Sequence, residues 1–335
     1  MKLSKRTLDK NYMKIAFNKA FEHLGSTKNN PSVGCVVVKN NSVVSTGKTS
    51  LNGRPHAEFN ALNRNIDFNN SSIYVTLEPC SHFGKTPPCT KIIQKKKIKN
   101  IYYSFYDPDK RTYKKAKKIL KNSYKIKKIN YENRNFYRSY FLNKITKFPL
   151  IDAKIAISKD FFTINKKSKW ITNYRSRQVA NLLRSKYDCI VSTSETINKD
   201  NSLLNCRIEG LEHSSPDLII IDRNLKLNKN LKLFDLSIKR KIYIFTTSQN
   251  KKKLSYFKKK KAKIFIIKKL ANKNDFKNLF KQIFTQGKGR ILVESGLVFT
   301  NELFKFKLLN NLYIFKTNKN LNINGINNGS VEFIK

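Results

Sequence analysis

The stretch HAEFNAL, residues 56–62, followed by TLEPCSHFGKTPPC, residues 76–89, decides how the first half of this chain is read. His56, Cys80 and Cys89 supply one imidazole and two thiolates. These are ligand types that zinc prefers, and three protein ligands leave one tetrahedral position open for water. Zinc makes such a water nucleophilic near neutral pH. Glu58 lies two residues beyond His56, at the start of a predicted helix, placed to move protons between that water and a substrate. A lone His-x-Glu or Pro-Cys is weak evidence. The two in order, each after a predicted strand and beside a helix start, are hard to obtain by chance. His82 is an alternative fourth ligand, although a four-ligand structural zinc would leave Glu58 without a task. A histidine on a loop beside the site is the simpler reading.

Outward from this pair of segments, strand and helix alternate. Apolar residues at helical spacing predict a helix over 8–25, stopped at Gly25. VGCVVVKN (33–40) and SVVSTGK (42–48) read as strands joined by a turn at Asn40-Asn41. Further strands are expected at 72–79 and 100–108, and helices from His56 and over 90–97. The stretch from about 110 to 148 is basic and irregular. A second alternating series follows, with strands at 149–158, 187–193, 217–222, 241–247, 263–269 and 290–296 and helices at 173–186 and 274–284. The expectation is two α/β domains, 1–147 and 148–335.

The chain carries 69 Lys+Arg against 22 Asp+Glu, a formal net charge of +47. Such an excess attracts phosphate. Yet the lysines are scattered through every segment, beside abundant Asn, Ile, Phe and Tyr, residues that share A/T-rich codons. Compositional background explains this better than a dedicated nucleic-acid face, so no specific nucleic-acid partner is expected. Hydrophobic residues make up 39%, enough for packed cores and against wholesale disorder. No segment approaches the roughly 20 apolar residues that span a bilayer, so no membrane partner is expected. The N-terminus lacks a signal-peptide apolar core. The five cysteines form no disulfide framework, and Cys35, Cys189 and Cys206 read as small buried residues. A reducing cytoplasm is the expected location.

The zinc set follows the H-x-E…P-C order of zinc deaminases. Those enzymes commonly carry Cys-x-x-Cys, whereas eight residues, SHFGKTPP, separate Cys80 from Cys89. With HAE upstream, NNPSVGCVVV (29–38) and DPD (107–109), this half resembles the deaminase domain of the bifunctional riboflavin-biosynthesis deaminase/reductase family. The second half resembles that family's reductase domain through KIAISKD (154–160), SKWIT (168–172), LLRSK (182–186), TINKDNSLLNCR (196–207) and VESG (293–296). The charge alone would also fit a nucleic-acid deaminase, but that reading leaves the long insert and the whole second half without a role.

The resemblance implies a cytidine-deaminase-like three-layer domain followed by a dihydrofolate-reductase-like α/β domain. It implies zinc and NADPH as cofactors, a phosphoribosylated pyrimidine as substrate, and a homodimer. In the first half it places Asn30 at the pyrimidine. In the second it places Ser168, Arg184, Leu204, Arg207 and Glu294 at the substrate, and Ala156, Trp170, Thr196, Asp200 and the stretch from Gly296 at NADPH. The residue chemistry is compatible. Arg184 and Arg207 offer forked donors suited to a sugar phosphate, and Gly296 lets a backbone approach a phosphate ahead of a helix. Several family residues are replaced. Phe161 and Ser295 stand where glycines are expected, Ser202 replaces a proline, Thr49 a histidine and Lys85 an arginine. The glycines expected after the DP turn are absent from DKRTYKKAKK, and a further one ahead of Thr196 from STSET. The zinc set and Glu58 are intact, so deamination is the firmer expectation, and the reductase is expected to be active but weaker.

Overall fold

The structure, a computed structural model, describes residues 4–120, 124–131, 133, 135–235 and 240–331. Both chain ends and parts of the basic stretch expected to be irregular lie outside the described residues. The chain divides into two compact units, Met1–Thr146 and Lys147–Lys335.

The first unit runs α1 (Lys5–Phe21), β1 (Gly34–Lys39), β2 (Ser42–Lys48), α2 (Ala57–Leu62), β3 (Ser72–Leu77), α3 (Cys89–Lys95), β4 (Asn100–Phe105), α4 (Ala116–Ile119), β5 (Lys125–Lys128) and α5 (Arg138–Thr146). Its sheet has the order β2-β1-β3-β4-β5. β1 is antiparallel to β2 and β3, whereas β3, β4 and β5 are parallel. The β1–β2 turn works because Asn40 and Asn41 both take left-handed backbone, φ 50° and 60°, the conformation that matches the twist of a tight hairpin.

Two glycines set the layers. A Cβ on Gly34 would lie 1.8 Å from the Ala16 carbonyl oxygen of α1, and one on Gly47 would lie 2.2 Å from the Ala57 carbonyl oxygen of α2. Cys35 pairs with Gly47 across the ladder. Side chains alternate along a strand, so Cys35 and Gly47 face α2 while Gly34 faces α1. Helices therefore cover both faces at close approach, which gives three layers.

The irregular linker expected over 110–148 is corrected. Phe136, Tyr137 and Tyr140 are buried in the first core, where Phe136 meets Phe17 edge-on at 5.4 Å. Tyr137 shares hydrogen bonds with Thr76 Oγ1 (2.6 Å) and the Ser32 carbonyl (3.0 Å). Its lysines hid the short helix α5 and the buried aromatic pair Phe136-Tyr137 just ahead of it.

The second unit runs β6 (Leu150–Ile157), β7 (Ile164–Asn165), α6 (Tyr174–Arg184), β8 (Cys189–Thr193), α7 (Ser194–Asp200), β9 (Asp217–Ile221), β10 (Ile242–Thr246), α8 (Lys251–Lys259), β11 (Lys263–Ile266), α9 (Lys273–Thr285), β12 (Arg290–Val293), α10 (Leu297–Lys305), β13 (Asn311–Lys316) and β14 (Gly325–Ile326). Its seven-stranded sheet, β11-β10-β9-β8-β12-β6-β13, is parallel at every described pairing. A parallel sheet is buried on both faces, and its strands read as apolar runs. Ile151, Cys189, Val191, Ile219, Phe245 and Val293 join Phe276, Phe280 and Ile283 of α9 on one face. Ile190, Leu218, Ile220, Ile244 and Leu292 join Ile197 of α7 and Phe257 of α8 on the other. The chain leaves β8 toward β9 and returns in β12 on the other side of β8. Ligands of open α/β sheets bind in the crevice at such a reversal, beyond the carboxyl ends of the strands.

Candidate active sites

His56 is the residue ahead of α2, and Cys89 is the first residue of α3. Cys80 lies in the loop after β3. The fold brings all three together, with their ligand atoms within 4.8 Å of one another. His56 Nδ1 is 3.5 Å from Cys80 Sγ and 3.4 Å from Cys89 Sγ. A tetrahedron built on usual zinc bonds of about 2.05 and 2.3 Å has an N···S edge of about 3.6 Å. The three residues therefore fit zinc in chemistry and in spacing. Among the described residues, His82 is outside this group. Its Nδ1 instead pairs with Thr112 Oγ1 at 3.0 Å.

The electrostatics suit a metal and a proton carrier. The Cys80 thiol is pulled down to about 4 by its hydrogen bond with Cys89, against burial, with His56 adding to the pull. The Cys89 backbone N–H also donates to Cys80 Sγ at 3.2 Å. Cys89 is pushed up by its bond to Cys80 and by burial. Glu58 is 4% exposed, on the first turn of α2. Burial and the neighbouring Cys80 charge push its carboxyl up to about 7, against the pull of His56. A carboxyl near neutral both takes and gives protons at working pH. Buried Cys35 lies near enough for the Glu58 charge to add to its upward shift, most of which comes from burial.

Around this centre, Asn30 donates from Nδ2 to the Gly53 carbonyl at 3.0 Å. Gly53 has φ +92°, and a Cβ there would lie 2.4 Å from that Asn30 nitrogen, so only glycine allows the contact. Arg54 Nη1 donates to Thr86 Oγ1 at 2.6 Å and steadies the loop between the two cysteines. Arg54 and Tyr137 escaped sequence reasoning. Their partners lie 32 and 61 or more residues away along the chain, and neither carries a distinctive motif.

In the second unit, contacts join some of the residues expected at substrate and cofactor: Thr196 with Gly296, and Arg184 with Glu294. The Gly296 backbone N–H donates to Thr196 Oγ1 at 3.1 Å, joining the first residue ahead of α10 to α7. The exposed N-terminus of α10 offers backbone N–H groups of the kind that hold phosphate, so the crevice at the sheet reversal suits a dinucleotide. Trp170 is 47% exposed, with the Arg177 guanidinium 4.6 Å from its ring centroid. The Ser168 hydroxyl accepts from the Trp170 N–H at 3.2 Å, and the Asp200 carbonyl accepts from Lys169 Nζ at 3.1 Å. Ala156 is half-buried on β6, one strand from β12.

Arg184 and Glu294 are both buried and form a bidentate pair, Nε–Oε1 2.6 Å and Nη2–Oε2 2.9 Å. Arg184 Nη1 also donates to Asn181 Oδ1 and to the Asn205 carbonyl. A guanidinium has five N–H donors, so one is left. Arg207 is exposed. Leu204 is buried in left-handed backbone, φ 50°. Of the positions where glycine was expected, Phe161 does take a left-handed φ, 66°, whereas Ser295 does not.

Comparison with known proteins agrees with both halves. The family model of the cytidine and deoxycytidylate deaminase zinc-binding region matches residues 6–105, and that of the RibD C-terminal domain matches residues 149–318. The riboflavin biosynthesis protein RibD of Aquifex aeolicus (strain VF5) is 33% identical over 297 residues, covering 87% of this chain and 82% of that protein. RibD of Buchnera aphidicola subsp. Baizongia pistaciae (strain Bp) is 32% identical over 329 residues, covering 91% and 85%. Form 1 of Acinetobacter baumannii RibD superposes with a TM-score of 0.80 at 25% identity, covering 97% of this chain and 92% of that one. A cytidine-deaminase-like domain with a zinc-binding centre, joined to an NADPH-dependent RibD reductase domain, places this chain in the RibD family of bifunctional riboflavin-biosynthesis deaminase/reductases.

Proposed function

We propose that the first unit deaminates 2,5-diamino-6-(5-phosphoribosylamino)pyrimidin-4(3H)-one. The second would then reduce the ribosyl group of the product, giving 5-amino-6-(5-phosphoribitylamino)uracil. The observation that carries this reading is the convergence of His56, Cys80 and Cys89 beside buried Glu58, in a chain whose other half is a RibD reductase domain. His56, Cys80 and Cys89 hold the zinc. Zinc, when bound, supplies a Lewis acid that makes water nucleophilic near neutral pH. Glu58 takes a proton as water adds to the amino-bearing ring carbon, and returns it to the exocyclic nitrogen, which leaves as ammonia. Asn30, whose amide is held by Gly53, presents its remaining polar edge to the pyrimidine.

In the second unit NADPH, when bound, supplies the hydride, and the protein supplies position. Ala156, Trp170, Thr196, Asp200 and the stretch from Gly296 line the cofactor crevice. Ser168, Leu204 and Arg207 face the substrate, with the Arg207 guanidinium at its phosphate. Arg184 contributes mainly by fixing Glu294. The domain boundary is placed at 147/148. A cytoplasmic homodimer without a specific nucleic-acid or membrane partner completes the proposal. It rests on the family resemblance and is checked by light scattering.

Mass spectrometry of the diaminopyrimidine, incubated with zinc-loaded protein with and without NADPH, tests the reading. Exchange of an amino group for oxygen, then gain of two hydrogens only with NADPH, is expected. Deamination alone would remove the reductase assignment, and no change would remove both.

A further inference from the structure

TLEPC contains a carboxylate that the zinc chemistry does not use. Glu78 is 3% exposed and has no ion-pair partner among the described residues. Its oxygens instead accept three backbone N–H groups from the segment after β4: Lys114 at 3.0 Å, Ala116 at 3.2 Å and Asp107 at 3.4 Å. Lys114 takes left-handed backbone, φ 56°, the bend that turns these donors toward one carboxylate. The turn so held carries Thr112, which is fully buried and hydrogen-bonds His82 Nδ1 at 3.0 Å. His82 stands two residues after Cys80, in the loop between the two thiolates. A Cβ on Gly84 would lie 3.9 Å from His82 Nε2 and 3.7 Å from Arg54 Nη2. The other ring edge and a guanidinium thus converge on the loop beside the metal ligands.

We propose that Glu78 and Thr112 are positioning residues of the deaminase site, with Glu78 shaping the 107–116 turn and Thr112 fixing the orientation of the His82 ring. This rests on the deaminase reading above. The hydroxyl at Nδ1 can donate or accept, so it holds the ring in one orientation whichever nitrogen carries the proton, and thereby aims Nε2. A buried carboxylate suits the turn because it offers only acceptors. A glutamine would set an NH₂ group against a backbone donor. A purely space-filling role would make no distinction between a hydroxyl and a methyl group at position 112.

The test uses zinc-loaded full chain carrying Thr112→Val, which removes the hydroxyl at nearly constant volume, and Thr112→Ser, which restores it. Zinc content, deaminase kcat and KM, NADPH-dependent reduction of the deaminated intermediate, and the order of the His82 ring by NMR relaxation are measured for each. Thr112→Val is expected to keep its zinc and its reductase rate, to lose about tenfold in deaminase kcat/KM, and to show a less ordered His82 ring. Thr112→Ser is expected to recover most of the loss. Wild-type kcat/KM with an equally ordered His82 ring in Thr112→Val would overturn the proposal, as would equal losses in both variants or a loss that follows zinc content. Glu78→Gln is expected to speed amide exchange at Lys114 and Ala116, and unchanged exchange would remove Glu78 from the relay. If wild-type protein does not turn over the diaminopyrimidine, the deaminase reading is what fails. The order of the His82 ring in Thr112→Val then still decides the relay.

Discussion

Glu58 is useful because it is buried beside charge. A carboxyl in water would be fully ionised at neutral pH, whereas this one is pushed up to about 7 by burial first and by Cys80 second. Glu58→Gln keeps the shape and removes the proton capacity. It should lower deamination by about 10²- to 10⁴-fold with zinc content unchanged, and retained turnover would remove the shuttle. At Phe161 the conflict is one of backbone rather than chemistry. A left-handed conformation costs a non-glycine residue about 1–2 kcal/mol, part of which glycine gives back through the greater entropy of its unfolded chain. Phe161→Gly should therefore raise the melting temperature of the reductase unit by roughly 2 °C, and a lower midpoint would mean that the Lys316 contact at 4.1 Å from the Phe161 ring dominates. The zinc ligands were legible because imidazole and thiolate in that order have few other uses. Glu78 was not, because its partners are backbone N–H groups far along the chain, and those leave no trace in residue identity. Arg184 was legible as a site residue but not as a paired one, since nothing in the sequence joins it to Glu294.

At the scale of elements, the catalytic helix α2 is seated by the absence of a side chain. With Cβ at Gly47 only 2.2 Å from the Ala57 carbonyl, Gly47→Ala must push α2, and with it His56 and Glu58, away from the sheet. A displacement near 1 Å is expected to lower deamination by about 10²-fold and to weaken zinc retention, while NADPH-dependent reduction continues. Unchanged zinc content and rate would show that the sheet, not the helix, gives way. In the second unit, the Arg184–Glu294 pair ties α6 to the end of β12. Burial raises the Glu294 carboxyl, but Arg184 and Lys154 outweigh it and hold the group at about 2, below its ordinary 4.5. A depressed folded value means stability that is present above 4.5 and is lost as pH falls through about 2, worth about 3 kcal/mol. Urea unfolding of wild type and Glu294→Gln across that range should show the wild type losing the increment on acidification. The variant should start about 3–5 kcal/mol lower, with Arg184 unpaired, and follow a flatter acid limb. Strands β1, β3, β6, β8, β9, β10 and β12 were readable as apolar runs because both faces are covered. Helices α5 and α8 were not, because RSYFLNKIT and KKKLSYFKK each bury a single aromatic, Tyr140 and Phe257, within lysine-rich stretches of chain, so composition outweighed periodicity.

For the molecule as a whole, the two chemistries depend on different cofactors, so a chelator should separate them. Removal of zinc is expected to abolish deamination and to leave reduction of the deaminated intermediate intact. The net charge of +47 raises a second question at this scale. With 69 cationic and 22 acidic side chains, 69 − 22 leaves 47 positive charges that no acidic side chain neutralises. Neutralising phosphates with lysines releases counterions, and binding of that kind falls steeply with salt whatever the sequence bound. A face built for nucleic acid would add contacts to base edges, which distinguish sequences and are less sensitive to salt. Dispersed lysines therefore predict that the protein is retained by heparin or random-sequence RNA at low salt, is released as salt rises, and shows no preference among RNA sequences. Deamination and reduction should proceed at the same rates in the released and retained conditions once ionic strength is matched with a non-binding polymer control. Retention that survives high salt, or a preference for one sequence, would mean that part of the excess charge is organised into a binding face, and the compositional account of it would have to be given up.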